Sequence, residues 1–227
     1  MVKASIIIRT KDEGRTLGGV LEAIKAQTFN DYEVIVVDSG SSDNTLEIAR
    51  SFDARVITIA MPAFSYGFAL NTGLAAANGE FGISLAGHAR PANEHWLAEL
   101  LRPFADARVA GAVSRQIPYH WFHRSWALTA FDLLYRWAAL RGQPVISRLF
   151  VNSGSAIRLA VWERLPFDEQ LLSCEDQLWG RQVIGMGYHL AYCPKSQIYH
   201  SHQFSLAEKL LHIKVDMDAM RKIAASK

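Results

Sequence analysis

The chain has 227 residues and is half apolar, enough to bury a sizeable core in one large domain or two small ones. Its 24 Lys and Arg nearly balance 22 Asp and Glu, and a formal net charge of +2 lacks the basic excess of a dedicated nucleic-acid binder. Cys174 and Cys193 are the only cysteines, too few for a disulfide framework or a cysteine-built zinc site, so a reducing cytoplasm is the expected setting.

Met1 runs almost directly into a short apolar strand, with neither the h-region of a signal peptide nor any stretch long and apolar enough to span a bilayer. Ser5 to Arg9 (SIIIR) predicts a buried strand. Leu17, Val20, Leu21 and Ile24 then recur at helical spacing. Glu33 to Asp38 (EVIVVD) predicts a second strand, followed by a turn of short polar residues that can cap a helix holding Leu46, Ile48 and Ala49. The alternation continues with a strand at Arg55 to Ile59, a helix at Ala69 to Ala77, a strand at Phe81 to Leu85, a helix from Trp96 and a strand at Val109 to Ser114. Such alternation implies a mostly parallel sheet covered on both faces.

Tyr119 to Arg141 is rich in Trp, His and Arg, and reads as a mobile or partner-facing insertion. Beyond it the sequence predicts an extended segment at Asn152 to Ile157, a helix at Cys174 to Met186, short strands at His189 to Tyr192 and Ile198 to His200, and a last helix from Leu206. That helix places Leu206, Leu210, Ile213, Met217 and Met220 on one stripe, first explained as core packing. If this stripe or the aromatic insertion faces solvent, it suits a homodimer partner or the interface of a membrane.

Ligands of open parallel sheets bind at the carboxyl ends of strands, which draws attention to Arg9-Thr10-Lys11-Asp12-Glu13 after the first strand. A dehydrogenase would carry GxGxxG at this turn, and the motif is missing. Asp38, ending the second strand, is placed either to accept hydrogen bonds from a ribose or base, or to cap its own turn.

Four segments, SIIIRTKDEG, EVIVVDSGSSDNT, ALNTGLAAANGE and SCEDQLW, stand in an order and spacing that resembles family 2 glycosyltransferases, especially their rhamnosyltransferase-like branch. The resemblance implies a GT-A fold: an α/β, Rossmann-like, mostly parallel sheet flanked by helices, with a helical insertion and a C-terminal helix. It implies one domain over residues 1–227, with a nucleotide-sugar-binding half (1–115) and an acceptor-binding half (116–227). It assigns Thr10, Lys11, Glu13 and Asp38 to the nucleotide, and places Asn71 and Gly73 near the diphosphate or the sheet edge. The implied reaction is inverting transfer of a sugar from a nucleoside-diphosphate sugar to a hydroxyl of a sugar or lipid-linked acceptor, in cell-surface polysaccharide or glycolipid synthesis. The setting is cytoplasmic, at the inner face of the membrane where the acceptor is lipid-linked.

Where most members carry DxD to hold a divalent metal, this chain has Ala86-Gly87-His88, followed by Arg90. Either His88 ligates a metal, for which manganese suits an imidazole better than magnesium, or it meets the diphosphate directly while Arg90 adds permanent charge. The late Tyr199-His200-Ser201-His202 segment makes His200 or His202 a candidate to join it, and both would share a face if the strand persists. Inverting transfer needs one base beside the acceptor hydroxyl. The resemblance gives that role to Asp176, with Glu175 beside it in acceptor binding. Trp179, one turn on, either stacks on an acceptor sugar or packs in the core.

Overall fold

A computed structural model describes residues 2–60, 65–117, 150–200 and 206–225, the last without the side chains of 206–213 and 224–225. The expected alternation is present: β1 (Ala4–Thr10), α1 (Leu17–Lys25), β2 (Tyr32–Asp38), α2 (Thr45–Ser51), β3 (Arg55–Thr58), α3 (Tyr66–Ala75) and β4 (Phe81–Ala86). A two-residue β5 (Arg90–Pro91), α4 (Trp96–Leu101) and β6 (Val109–Ile117) complete the first half. The second half holds β7 (Gly154–Arg158), a short α5 (Leu159–Trp162), α6 (Glu175–Gly185), β8 (His189–Tyr199) and α7 (Leu206–Ala225). The aromatic insertion at 119–141 lies outside the described residues.

β1 is a continuous apolar run because both of its faces are covered. Side chains alternate across a strand, so Ile6 and Ile8 join Leu17, Val20, Leu21 and Ile24 of α1 on one face, while Ile7 joins Leu70 and Leu74 of α3 on the other. All three isoleucines are fully buried, each stabilising the fold by about 1.5–3 kcal/mol relative to exposure. Gly73 lets α3 approach the sheet: a Cβ there would lie 2.5 Å from Ile7 Cγ2 and 2.9 Å from Val37 Cγ2. That contact sets Gly73 as a packing residue.

The sheet order is β3-β2-β1-β4-β7-β6-β8-β5. It is mostly parallel, as expected, but mixed: β2 pairs parallel with β3, β1 with β2 and β4, and β6 with β8, whereas β7 runs antiparallel to both β4 and β6, and β5 antiparallel to β8. The reversal of β7 is what brings the start of that strand to the carboxyl edge of β1, β2 and β4. The two short strands expected near residue 190 are one strand. Pro194, Lys195 and Ser196 bulge out between the pairings Ser114↔Cys193 and Arg115↔Gln197, and Ser196 Oγ lies 2.9 Å from Ser114 Oγ.

Through Ala219 and Ile223, α7 packs on Leu171 and Cys174. Met217 of its expected apolar stripe is half exposed, whereas Leu206, Leu210 and Ile213 fall among the side chains outside the description. Among the described residues, no helix is long and apolar enough to cross a membrane.

Candidate active site

Strand direction dictates where polar groups gather. β1, β2, β4, β6 and β8 all end at one edge of the sheet, and β7 begins there. A cavity of about 480 Å³ opens at this edge, walled by the end of β1, the loops after β4 and β8, the segment before β7, and the start of α6.

Two loops knit one wall of this cavity. Asp12 takes a left-handed backbone (φ 53°) and its carboxylate accepts from Ser42 N–H at 2.7 Å, while Asp12 N–H donates to Ser41 Oγ at 2.8 Å. Glu13 N–H donates to Thr45 Oγ1 and Gly14 N–H to Asp43 Oδ2. The hydrogen bond from Ser42 N–H, opposed by desolvation, holds the exposed Asp12 carboxyl below its usual range. Thr10, Lys11 and Glu13 line the cavity.

Asp38 corrects its assignment. It lies beside Thr10 in the sheet, at the expected edge, but is fully buried and does not border the cavity. Its Oδ2 accepts from the N–H groups of Gly40 and Ser41, and its Oδ1 from the hydroxyls of Ser41 and Thr10. Four donors saturate a carboxylate, so Asp38 holds its own turn. The neighbouring Ser39 reaches the cavity instead.

Asn71 and Arg90 also stand away from the cavity. Asn71 Nδ2 donates to Phe167 O and Glu169 Oε1, and its Oδ1 accepts from Trp162 Nε1 and Phe167 N–H, so it clamps α3 to the chain before α6. Arg90 is exposed on β5, with its guanidinium 5.4 Å from the Tyr199 ring centroid. Trp179 is in the core, against Phe150 and Phe167, with Nε1 donating to Leu165 O. Helical spacing from Asp176 brought it near the site, but its indole is buried in the core and does not border the cavity.

His88 is placed by Gly87, whose missing Cβ lets the turn after β4 sit against Thr10 and Glu13. His88 Nδ1 is 2.6 Å from Glu13 Oε1, and Glu13 Oε2 accepts from Thr16 Oγ1. The His88 and His200 rings stack, 5.0 Å between centroids and 14° between planes. His200 Nδ1 lies 3.0 Å from Gln116 Oε1, whose amide donates onward to Ser153 Oγ at 2.7 Å. The strand ends at Tyr199, and His202 lies outside the described residues. Among those described, no three His, Cys, Asp or Glu side chains converge to hold a metal. The donor set beside the β4 turn is two imidazoles and a carboxylate already engaged with one of them, which does not make an oxygen cradle for magnesium.

Across the cavity, Asp176 opens α6. Its Oδ2 accepts from Asn152 N–H at 3.0 Å and its Oδ1 from Gln177 N–H at 2.8 Å. Glu175 is buried with Oε1 3.3 Å from Asn152 Nδ2. Desolvation, then the adjacent Glu175 carboxylate, push the Asp176 carboxyl up to about 7, opposed by the Asn152 and Gln177 N–H groups and by the Arg9 guanidinium. Cys174, just before, has a left-handed backbone (φ 63°), which costs about 1–3 kcal/mol in a residue with a Cβ and turns the chain sharply into the helix. Packing of Cys174 on α7, and a 2.6 Å hydrogen bond from Ser173 Oγ to Asp216 Oδ1, hold that turn.

Tyr66, Asn152 and Asp216 line the cavity without having been singled out, and Arg9, which opened the segment after the first strand but was given no role, lines it too. Arg9 carried a signal, being a charged residue inside a buried strand. The other three approach only through folding.

The layering of a mixed sheet between two helical faces, with a cavity at the strand ends, is that of GT-A glycosyltransferases. A mannosyltransferase from Pyrobaculum calidifontis, solved with GDP-Man and Mn2+, superposes with a TM-score of 0.78 at 19% identity over 100% of this chain and 65% of its own. S. aureus TarS (residues 1–349) does so with a TM-score of 0.72 at 18% identity over 98% and 64%. The description of glycosyl transferase family 2 matches residues 5–160, and the chain belongs to that family. It is 29% identical to the O-antigen chain rhamnosyltransferase WbaN of Salmonella anatum over 81% of this chain and 61% of that protein. It is 28% identical to RfbN of Salmonella typhimurium, of the same description, over 92% and 69%. The chain thus spans between three-fifths and seven-tenths of these two relatives.

Proposed function

We propose that the chain transfers a sugar, with inversion, from a nucleoside-diphosphate sugar to a hydroxyl of a sugar or lipid-linked acceptor in cell-surface polysaccharide synthesis. The observation that carries this reading is Asp176: a carboxylate of raised basicity at the wall of a cavity whose opposite wall holds Lys11, His88 and His200. Support also comes from the O-antigen rhamnosyltransferases it resembles and from the GDP-Man bound by its structural neighbour.

In this reading residues 1–115 hold the donor and 116–227 the acceptor. The acceptor hydroxyl gives its proton to Asp176 Oδ as its oxygen attacks the anomeric carbon, and the nucleoside diphosphate departs from the opposite face. Charge developing on the diphosphate is met by Lys11 and by ring N–H groups of His88 and His200. Glu13 orients His88 through Nδ1. Asn152 N–H orients the base, and Glu175 raises its proton affinity.

The test is release of nucleoside diphosphate, with label appearing in acceptor, from UDP-, GDP- and dTDP-sugars with and without manganese or chelator. Pyrophosphate release would identify a nucleotidyltransferase, and binding without turnover a silent relative. Stimulation by manganese would bring a metal to the imidazole side. Asp176→Asn should leave nucleoside-diphosphate binding intact while transfer falls by ~10²-fold or more.

A further inference from the structure

Arg9 lies near the end of a central strand, in a setting that stability does not account for. Its backbone is registered against Val37 of β2 and Ala86 of β4, and its carbonyl accepts from Gly87 N–H at 3.0 Å. That bond ties it to the turn where most members of the family carry DxD. By alternation the Arg9 side chain leaves on the face of Ile7, towards α3, and the guanidinium rests 5.0 Å from the Tyr66 ring centroid. The ring stands on a fixed helix end. Ser65 Oγ caps α3 by accepting from Phe68 N–H at 3.0 Å, and a Cβ on Gly67 would lie 2.3 Å from the Asp168 carbonyl oxygen.

Directly paired residues of neighbouring strands share a face, so Ala86 stands beside Arg9, and both border the cavity. A carboxylate at position 86 would be placed to pair with the guanidinium. Alanine leaves the charge uncompensated: Arg9 Nε is buried without a hydrogen-bond partner, and among the described residues no carboxylate forms an ion pair with Arg9. A buried donor lacking an acceptor is unfavourable, and packing alone gives no reason to keep one. A guanidinium stacked on an aromatic ring, unpaired, and bordering a cavity that also holds Lys11 is suited to receive phosphate oxygens.

We propose that Arg9 binds the donor's diphosphate directly, supplying from β1 the fixed positive charge that a carboxylate-held metal would otherwise bring to the β4 turn. The inference rests on the cavity being the nucleoside-diphosphate-sugar site. Arg90, the guanidinium nearest that turn in sequence, is exposed on β5 and does not border the cavity, whereas Arg9 does. A metal at the turn would find alanine where most members have an acid, a Glu13 carboxylate already engaged with His88, and a neighbouring guanidinium that repels it. Diphosphate oxygens meet none of these obstacles, and they can give Nε the acceptor that the protein does not.

Calorimetry of the full chain with UDP, GDP and dTDP, in chelator and in manganese, tests this, with uridine, guanosine and thymidine as controls. In chelator, Arg9→Gln should weaken the diphosphate that the wild type binds best by about tenfold or more, the scale of one hydrogen bond between charged groups, and leave the matching nucleoside within about twofold. Arg9→Lys keeps the charge but loses the planar fork, and should fall between. Ala86→Asp sets a carboxylate beside Arg9 and should weaken the diphosphate likewise. Unchanged diphosphate affinity in Arg9→Gln, or in Ala86→Asp where Arg9→Gln does not fold, overturns the proposal. An equal loss for the nucleoside would make Arg9 a base or ribose contact and overturn it too. Wild-type binding that appears only with manganese would put a metal in this role, with the same result. A wild type that binds none of the three diphosphates defeats the sugar-nucleotide reading itself, whereas normal binding by Arg9→Gln defeats the Arg9 assignment alone.

Discussion

Glu13 and His88, 75 residues apart in the chain, meet at 2.6 Å because β1 and β4 are parallel neighbours whose ends lie side by side. The carboxylate holds the ring by Nδ1, which aims the opposite nitrogen. His88→Ala should therefore weaken nucleoside-diphosphate binding by about tenfold, the scale of one charge-assisted hydrogen bond. Glu13→Gln should weaken it less, since the ring remains but its orientation loosens. Calorimetry with UDP, GDP and dTDP in chelator measures both, and an unchanged affinity in His88→Ala would remove the imidazole from the diphosphate site.

The raised carboxyl of Asp176 fixes the pH dependence of transfer. A base must be ionised to accept a proton, so kcat/KM should climb with pH through about 7 and level off above it, instead of being flat from pH 5 as for an ordinary aspartate. A profile already flat at pH 5 would show that the resting protonation of Asp176 does not limit the reaction.

Linkage gives the same residue a signature in stability. A carboxyl whose pKa is higher in the folded than in the unfolded chain binds protons preferentially in the fold, so its favourable contribution is complete below the ordinary aspartate value and is lost as pH rises to about 7. Asp176→Asn removes this dependence. Its Tm should gain on the wild type between pH 4 and pH 8, although the amide oxygen offers fewer lone pairs to the Asn152 and Gln177 N–H groups. Calorimetric melts at both pH values decide it, and a gap that is constant with pH would contradict the raised pKa.

Asn71 should behave as a clamp. Asn71→Ala removes both partners of a four-bond junction and leaves Phe167 N–H and the Trp162 indole without their acceptor, a loss of about 3 kcal/mol or more. Urea unfolding should show it, while nucleoside-diphosphate affinity stays within about twofold of wild type under conditions where the variant is folded. A large loss of affinity with unchanged stability would return Asn71 to the donor site.

By itself the sequence determined what local chemistry controls. Apolar runs at Ser5 to Arg9 and Glu33 to Asp38, helical spacing in Leu17 to Ile24, and the acidic pair opening α6 were legible because strand alternation, helix periodicity and helix ends are written within a few residues. The carboxyl-edge location of Thr10, Lys11, Glu13 and His88 followed from strand order alone. Tertiary structure decided the rest, because it depends on partners remote in the chain. The reversal of β7 made the sheet mixed and delivered Asn152 to Asp176. Asp38 and Asn71 had the right polarity for ligand contacts, but folding supplied each with four partners from the protein, and a polar side chain saturated internally has nothing left to offer a substrate. Arg9 shows the converse. Its strand position was plain from sequence, whereas its seat on the Tyr66 ring at the cavity exists only because α3 places that ring beneath it.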